Sequence, residues 1–345
     1  LIKELLKKVV AGENLTEAEA AAAMEEIMDG GATPAQIAGL LTALKLKGET
    51  IDEITGFARV MRSKATPVRS CHPLLVDTCG TGGDGANTFN ISTAAALVLA
   101  GAGVKVAKHG NRSVSSRCGS ADVLEALGVN LDLEPGEMAA CLEEVGIAFL
   151  YAPALHGAMK HAAGPRRELG FRTVFNILGP LTNPAGARAQ VLGVYSAQLV
   201  PVLAEVLLRL GAQRAFVVHG AGGLDEVSPA GPALVCEVKD GNIFEYTLDP
   251  GEFGFARAGT DQLAGGSPEE NAEIILSILK GEAGPRRDAV VLNAALGLMA
   301  AGAAEDFTSG IDLAARSLDR GLAQAKLQEM IRFTARYRKA KVAGL

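Results

Sequence analysis

Three polar clusters in this 345-residue chain have the residue types of a working site. The first is Gly80-Thr81-Gly82-Gly83-Asp84-Gly85, a G-x-G-x-x-G pattern that lets backbone N–H groups come close to a phosphate. Asn90-Ile91-Ser92-Thr93 follows at the expected start of a helix, where free N–H groups, hydroxyls and the helix dipole favour an anion. The second cluster, Lys108 to Arg117, supplies the cations Lys108, Arg112 and Arg117, several hydroxyls and Gly110. Both clusters leave a short apolar strand, so they should lie side by side at one sheet edge. Two neighbouring phosphate-type loops imply a ligand with more than one phosphate group. The third cluster is Gly222-Gly223-Leu224-Asp225-Glu226-Val227-Ser228. An acidic pair alone is ordinary surface, but beside two phosphate loops Asp225 and Glu226 are suited to hold Mg²⁺ against phosphate oxygens.

Other chemistries fit less well. A dinucleotide site needs an acidic residue at the end of the next strand, and this one runs Ala107-Lys108-His109-Gly110, the wrong sign for a ribose hydroxyl. No G-x-x-x-x-G-K-[ST] motif occurs, which disfavours a P-loop nucleotidase. His156 and His161 lack a third ligand at zinc spacing. Cys79 and Cys118 flank the glycine loops without an evident histidine partner, which disfavours a thiol mechanism. Arg166 and Arg167, just after Gly164-Pro165, are suited to pair with a substrate carboxylate.

The elements that must position these clusters alternate in type. The first 64 residues read as short helices: Thr33-Pro34 starts one whose Ile37, Leu40, Leu41 and Leu44 share a face, and Ile51, Ile54, Phe57, Val60 and Met61 repeat the pattern. Strands are expected at 74–76, 104–107, 147–151, 189–195 and 214–218, with helices at 91–102, 121–127, 135–145 and 197–210 between them. Further helices are expected from 267, over 284–302 and over 311–339. Residues between 151 and 189 show no strand pattern. The expected class is α/β, with a small N-terminal helical domain and a larger α/β domain around a largely parallel sheet.

Composition narrows the partners. The formal net charge is −6, which argues against a polyanion binder, and the absence of Trp argues against a base-stacking platform. No stretch of about 18 apolar residues is present to span a membrane. Lys3, Glu4, Lys7 and Lys8 interrupt the first turns, unlike a signal peptide. The five cysteines form no CxxC pair, which on spacing excludes a disulfide scaffold and a cysteine zinc site and fits a reducing, cytoplasmic setting.

Taken together, the segments resemble the anthranilate phosphoribosyltransferase family. The matching runs are Gly80 to Asp84, Asn90 to Thr93, Lys108 to Ser116, Gly119 to Asp122, Asn176 to Pro184, Asp225 to Ser228 and Gly265 to Asn271, in family order along nearly the whole chain. The resemblance implies a fold shared with pyrimidine nucleoside phosphorylases. It implies a helical domain over 1–68, joined in space by helices from about 155–188, and an α/β domain made of 72–152 and 189–345. The implied reaction, part of tryptophan biosynthesis, joins anthranilate to 5-phospho-α-D-ribose 1-diphosphate (PRPP). It releases diphosphate and requires Mg²⁺, and the implied assembly is a homodimer formed through the helical domain.

By match, PRPP-binding positions fall on Gly80, Gly83, Asp84, Thr88, Asn90, Ile91, Ser92, Thr93, Lys108, His109, Gly110, Asn111, Arg112, Ser113, Val114, Ser115, Ser116 and Ser120. Mg²⁺ positions fall on Ser92, Asp225 and Glu226, and anthranilate positions on Gly80, Asn111 and Arg166. No residue is assigned as a general base. Gly157 departs from the family pattern, in which many members carry Pro. A pyrimidine nucleoside phosphorylase and a non-catalytic nucleic-acid-binding relative are the alternatives; Asn90 to Thr93 and the acidic pair favour the transferase.

Overall fold

The structure is a computed structural model and describes residues 1–113 and 117–338. Four helices come first: α1 (Ile2–Val10), α2 (Glu17–Met28), α3 (Pro34–Lys47) and α4 (Ile51–Lys64). Three of their starts are written in the sequence as reciprocal capping boxes, Thr16 with Glu19, Thr33 with Gln36 and Thr50 with Glu53. Glu53 is fully buried and does more than cap. Its Oε1 accepts from Leu15 N at 2.9 Å, and its Oε2 accepts from Thr50 N at 2.8 Å and Lys47 Nζ at 3.0 Å. A buried carboxylate is tolerated there because its charge and lone pairs are matched.

The α/β part begins with β1 (Val76–Gly80), α5 (Ile91–Gly101), β2 (Val106–Gly110), α6 (Ser120–Ala126), α7 (Pro135–Glu144) and β3 (Ile147–Tyr151). A strandless passage follows, with α8 (Ala152–Leu155), α9 (Lys160–Leu169) and α10 (Phe175–Leu178). Then come β4 (Ala189–Gly193), α11 (Leu199–Arg209), β5 (Arg214–His219), β6 (Ala233–Lys239) and β7 (Asn242–Leu248). The described chain closes with α12 (Pro268–Leu279), α13 (Pro285–Ala300), α14 (Phe307–Asp319) and α15 (Leu322–Ala335).

These strands form one sheet in the order β3-β2-β1-β4-β5-β6-β7, parallel through β5 and antiparallel at the β6 and β7 edge. Both faces are covered, which is why β3, β4 and β5 are apolar over most of their length, while β1 and β2 carry polar residues toward the site. Along β5, Phe216 and Val218 join the core under α5 and α13, while Ala215 and Val217 join the core beneath α11. That second core is continuous with the N-terminal helices and takes in Ala162, Val174, Phe175, Ile177, Leu178 and Leu181 from the strandless passage.

The order of strands reverses between β1 and β4, a switch point, and open α/β sheets bind ligands beyond the strands' carboxyl ends at such a point. Gly80 and Gly193 face each other in register there. Neither has room for a side chain: a Cβ on Gly80 would meet the Asp225 carboxylate, and one on Gly193 would meet the Asp225 backbone oxygen.

Several sequence expectations shift. β1 runs over 76–80 and β2 over 106–110, later than the apolar letters suggest, so Gly80 and Lys108-His109-Gly110 are strand residues and not loop residues. The helix expected over 311–339 is two helices, broken at Gly321 with φ +66°. The β6 and β7 hairpin was not among the expected elements.

Candidate active site at the switch point

The glycine loop leaves β1 and turns on Gly82, Gly83 and Gly85, with φ of +63°, +74° and +76°. These left-handed conformations strongly favour glycine. Asp225, carried by the segment after β5, reaches across and accepts from Gly82 N at 3.0 Å. Next to it, Glu226 Oε1 accepts from Ser92 N at 3.3 Å in the first turn of α5. The helix end that the sequence offers to an anion is thus partly filled by the chain's own carboxylate. Asn90, the residue before α5, does not cap its own helix. Its Nδ2 donates to Cys118 O at 3.2 Å, and its Oδ1 accepts from Asn271 Nδ2 at 2.9 Å.

The acids outnumber the groups that could neutralise them. Glu226 Oε2 and Asp84 Oδ2 are buried without any hydrogen-bond partner. Desolvation and the neighbouring Asp84 push Asp225 up to about 7. Desolvation and the charges of Asp225 and Asp84 push Glu226 well above the ordinary carboxylate range. Lys108 supplies a counter-charge, donating to Thr78 O at 2.5 Å and Ser92 Oγ at 3.4 Å from a buried position. Burial lowers Lys108 while Asp77, Cys79 and Glu226 hold it up. Carboxylate oxygens crowded in this way, with lone pairs unused, are the donor set of a hard divalent cation, and the residues present fit Mg²⁺.

Neighbouring side chains on β2 face opposite ways. Lys108 points toward Ser92, but His109 points to the other face, where its Nε2 lies 3.2 Å from His156 Nε2. Its backbone N donates to Asp77 Oδ1 at 3.1 Å, and Asn183 Nδ2 donates to Asp77 Oδ2 at 2.8 Å. Thr93 is buried with an unpartnered hydroxyl, and Ile91 is a core side chain. Thr88 makes an isolated antiparallel bridge to Ala264 beside the loop.

After β2 the chain is held by Asp122 at the start of α6. Its Oδ2 accepts from Ser113 N at 2.9 Å and Gly119 N at 2.8 Å. Val114, Ser115 and Ser116 lie outside the described residues. Asn111 O accepts from Ser120 Oγ at 3.3 Å. Arg112 pairs outward with Asp122 and Glu125, at 3.1 and 2.8 Å, and not with the acidic cluster.

These bonds unite Gly82, Ser92, Lys108, Asp225 and Glu226 and set Arg166 apart. Arg166 lies on α9 with its guanidinium 4.9 Å from the centre of the Phe175 ring. It is half-buried, desolvation lowers its pKa, and among the described residues it has no acid partner. Arg172, which no sequence motif singles out, stacks 4.6 Å from the Tyr195 ring and donates to Gly83 O. It links the strandless passage to the glycine loop. Asn183 and Asp77 also join the site's surroundings without having been expected there, and His156 does so as a partner of His109 instead of a metal ligand. A charged residue inside the Val76-Asp77-Thr78 strand is the available signal for Asp77.

A glycosyl transferase family helical-bundle domain matches residues 3–65, and the a/b domain of the same family matches residues 72–324. A curated anthranilate phosphoribosyltransferase from Pelotomaculum thermopropionicum is 67% identical over 334 residues, covering 97% of each chain. The chain belongs to the anthranilate phosphoribosyltransferase family. The family member from Thermus thermophilus has a solved structure that superposes with a TM-score of 0.91 at 50% identity, covering 96% of this chain and 99% of that one. The Saccharomyces cerevisiae member, solved in complex with PRPP and Mg, gives a TM-score of 0.89 at 29% identity, covering 97% of this chain and 98% of that one. The helical bundle and the α/β sheet that the sequence leads one to expect are thus those of the family.

Proposed function

We propose that this chain transfers the 5-phosphoribosyl group of PRPP to the amino group of anthranilate, releasing diphosphate, as a step of tryptophan biosynthesis. The observation that carries this reading is the acidic cluster of Asp84, Asp225 and Glu226. Its unpartnered oxygens meet a glycine loop and a helix start, as a site for a metal-bound polyphosphate requires. The yeast relative's complex with PRPP and Mg supports it.

In this reading Ser92, Asp225 and Glu226 hold Mg²⁺, with Asp84 beside them. The ion, when bound, supplies positive charge against the leaving diphosphate. The N–H groups of Gly80 to Asp84 bind phosphate oxygens at points fixed before the reaction begins, and Asn111 to Ser116 supply further phosphate contacts. Lys108 acts from beneath, holding Ser92 Oγ and balancing Glu226. Arg166 takes the carboxylate of anthranilate, with Asn111 and Gly80 lining the approach. The aromatic amine is uncharged at neutral pH, so placing it near C1 of the ribose is the main task left to the protein.

The division of the chain is part of the proposal. Residues 1–68 and about 155–188 form one unit, and 72–152 with 189–345 form the other. Support comes from α9, which packs on α3 and α2. A homodimer through the helical unit is proposed from Val10 and Leu46, exposed at 70 and 83%. The setting proposed is the cytoplasm. No described helix is long and apolar enough to cross a membrane.

Mixing the chain with anthranilate, PRPP and Mg²⁺ and following product fluorescence tests the reading. Turnover that needs all three supports it, and no turnover with all of them in excess overturns it.

A further inference from the structure

The switch point lies at the carboxyl ends of the strands. At the opposite edge, the crossover from α4 into β1 passes the last turn of α7. There Ser70, Cys71 and His72 close on Glu143. The two oxygens of Glu143 are used differently. Oε1 accepts from Ser70 Oγ at 2.8 Å and from Cys71 N at 3.1 Å, which fixes the carboxylate plane. Oε2 is left facing Cys71 Sγ at 2.8 Å and His72 Nε2 at 3.1 Å. His72 Nε2 is itself buried and makes no hydrogen bond despite this approach. A sulfur, a ring nitrogen and a carboxylate oxygen, all within 4.8 Å of one another, converge on one point.

We propose that Cys71, His72 and Glu143 form a second metal site, structural in position, that takes Zn²⁺ or a cation of similar softness. The donor set decides the class. Thiolate and imidazole suit zinc and its neighbours, whereas Mg²⁺ takes oxygens and belongs with the acidic cluster at the other edge. The spacing is near what the metal needs. Tetrahedral bonds of about 2.0–2.3 Å place ligand atoms about 3.3–3.8 Å apart, so Glu143 Oε2 must draw back from Cys71 Sγ and His72 Nε2 by a few tenths of an ångström, while those two atoms already lie within 4.8 Å of each other. Cys71 and Glu143 are exposed, and their side chains have room to do so. Ser70 Oγ and Cys71 N on the far oxygen act as the outer shell that orients the ligand.

Binding is an exchange without redox change. The proton that Cys71 Sγ now donates to Glu143 leaves to solvent, a sulfur–metal bond replaces it, and water takes the fourth position. No ligand spacing in the sequence announces this site, because Glu143 lies 72 residues from Cys71. The bound ion would staple the crossover onto α7.

The whole chain, stripped with a chelator and reduced, is titrated with Co²⁺ while thiolate-to-cobalt charge-transfer absorption is recorded, then challenged with Zn²⁺. One equivalent should bind with the thiolate band and be displaced by Zn²⁺. The band should vanish in Cys71→Ser and persist in an Asp225→Asn, Glu226→Gln variant. Ser70→Ala should weaken affinity about 10- to 100-fold. Zn²⁺ should also shield Cys71 of the unaltered chain from alkylation, a readout that stands even if Cys71→Ser folds poorly. Absence of the band, its survival in Cys71→Ser, or alkylation of Cys71 at the same rate with and without Zn²⁺ overturns the site.

Discussion

His109 and His156 face each other through their Nε2 atoms, 3.2 Å apart, with their rings tilted at 51° and their centroids 5.1 Å apart. Two imidazoles can share one hydrogen bond only if at least one of them is neutral. Desolvation and the neighbouring His156 lower His109 to about 3, and desolvation lowers His156 to about 4. The pair therefore joins β2 to the segment after β3 as an uncharged contact, unusual for histidines next to a polyanion site.

That contact should contribute an acid-sensitive part of the stability. A histidine whose folded pKa lies below its unfolded value of about 6.5 stabilises fully above that value, and the contribution is lost as pH falls. Each such histidine contributes a slope of up to about 1.4 kcal/mol per pH unit below about 6.5. Asp77 works the other way, because burial raises it to about 6 and the folded chain then holds its proton between about pH 4 and 6. Asp225 and Glu226 are raised in the same way, so the histidine contribution is read by difference. As pH drops from 7 to 5, His109→Gln with His156→Gln should lose less stability, or gain more, than the unaltered chain. An unchanged pH slope in that variant would show that the histidines carry no acid sensitivity.

Much of this arrangement is legible in the sequence, and the exceptions have physical causes. The capping boxes at Thr16, Thr33 and Thr50 announce their helices because the cap is a local interaction. The β6 and β7 hairpin is just as legible: Asp240-Gly241, with φ of +51° and +76°, is a strong two-residue hairpin signal between β-rich runs. β2 is harder to place because Lys108 and His109 look like loop residues. Only the folded chain supplies the Thr78 carbonyl and the His156 ring that make them strand-core residues. Gly80, Ser92, Asp225 and Glu226 can be picked out as types, but no spacing rule says that Glu226 would occupy the α5 N-terminus. That contact spans 134 residues.

The fit of Asp225 against Gly80 and Gly193 gives a steric prediction. Neither glycine has a positive φ, so alanine costs little backbone strain there, and the effect must come through Asp225. Gly80→Ala presses on the carboxylate and Gly193→Ala on the backbone oxygen. Both should weaken PRPP binding measured by calorimetry in the presence of Mg²⁺, with Gly193→Ala also lowering Tm because it collides with fixed backbone. Wild-type PRPP affinity in Gly80→Ala would mean that Asp225 is free to move.

Asp225→Asn combined with Glu226→Gln keeps shape and removes two desolvated, mutually repelling charges. Tm should hold or rise, since burial and the crowding of like charges push both carboxyls up. Turnover at limiting Mg²⁺ should fall by about 100-fold or more, equivalent to roughly 3 kcal/mol of lost charge stabilisation. Thermal melts and steady-state rates on one preparation separate the two effects. Near-native turnover at limiting Mg²⁺ would leave the acidic pair without a role in the reaction.

Arg166 carries the acceptor prediction. Its guanidinium is half-buried on the Phe175 ring, desolvation lowers its pKa, and no described acid neutralises it. A desolvated cation without an acid partner is costly to keep unless something anionic arrives, and a planar carboxylate matches its fork of donors. Arg166→Ala should therefore raise KM for anthranilate by about 10- to 150-fold, the loss of a charge-assisted hydrogen bond worth roughly 1.5–3 kcal/mol. KM for PRPP should move far less, because Gly82, Ser92 and Asp225 are untouched. Arg166→Lys should recover only part of the loss, since a lysine keeps the charge but not the two parallel donors. Aniline, which lacks the carboxylate, should be nearly indifferent to either change if it reacts. If Arg166 only braces α9 against Phe175, Tm would fall and both KM values would drift together. Steady-state kinetics with both substrates, run alongside melting curves, separates these outcomes, and an unchanged KM for anthranilate in Arg166→Ala removes the residue from the acceptor site.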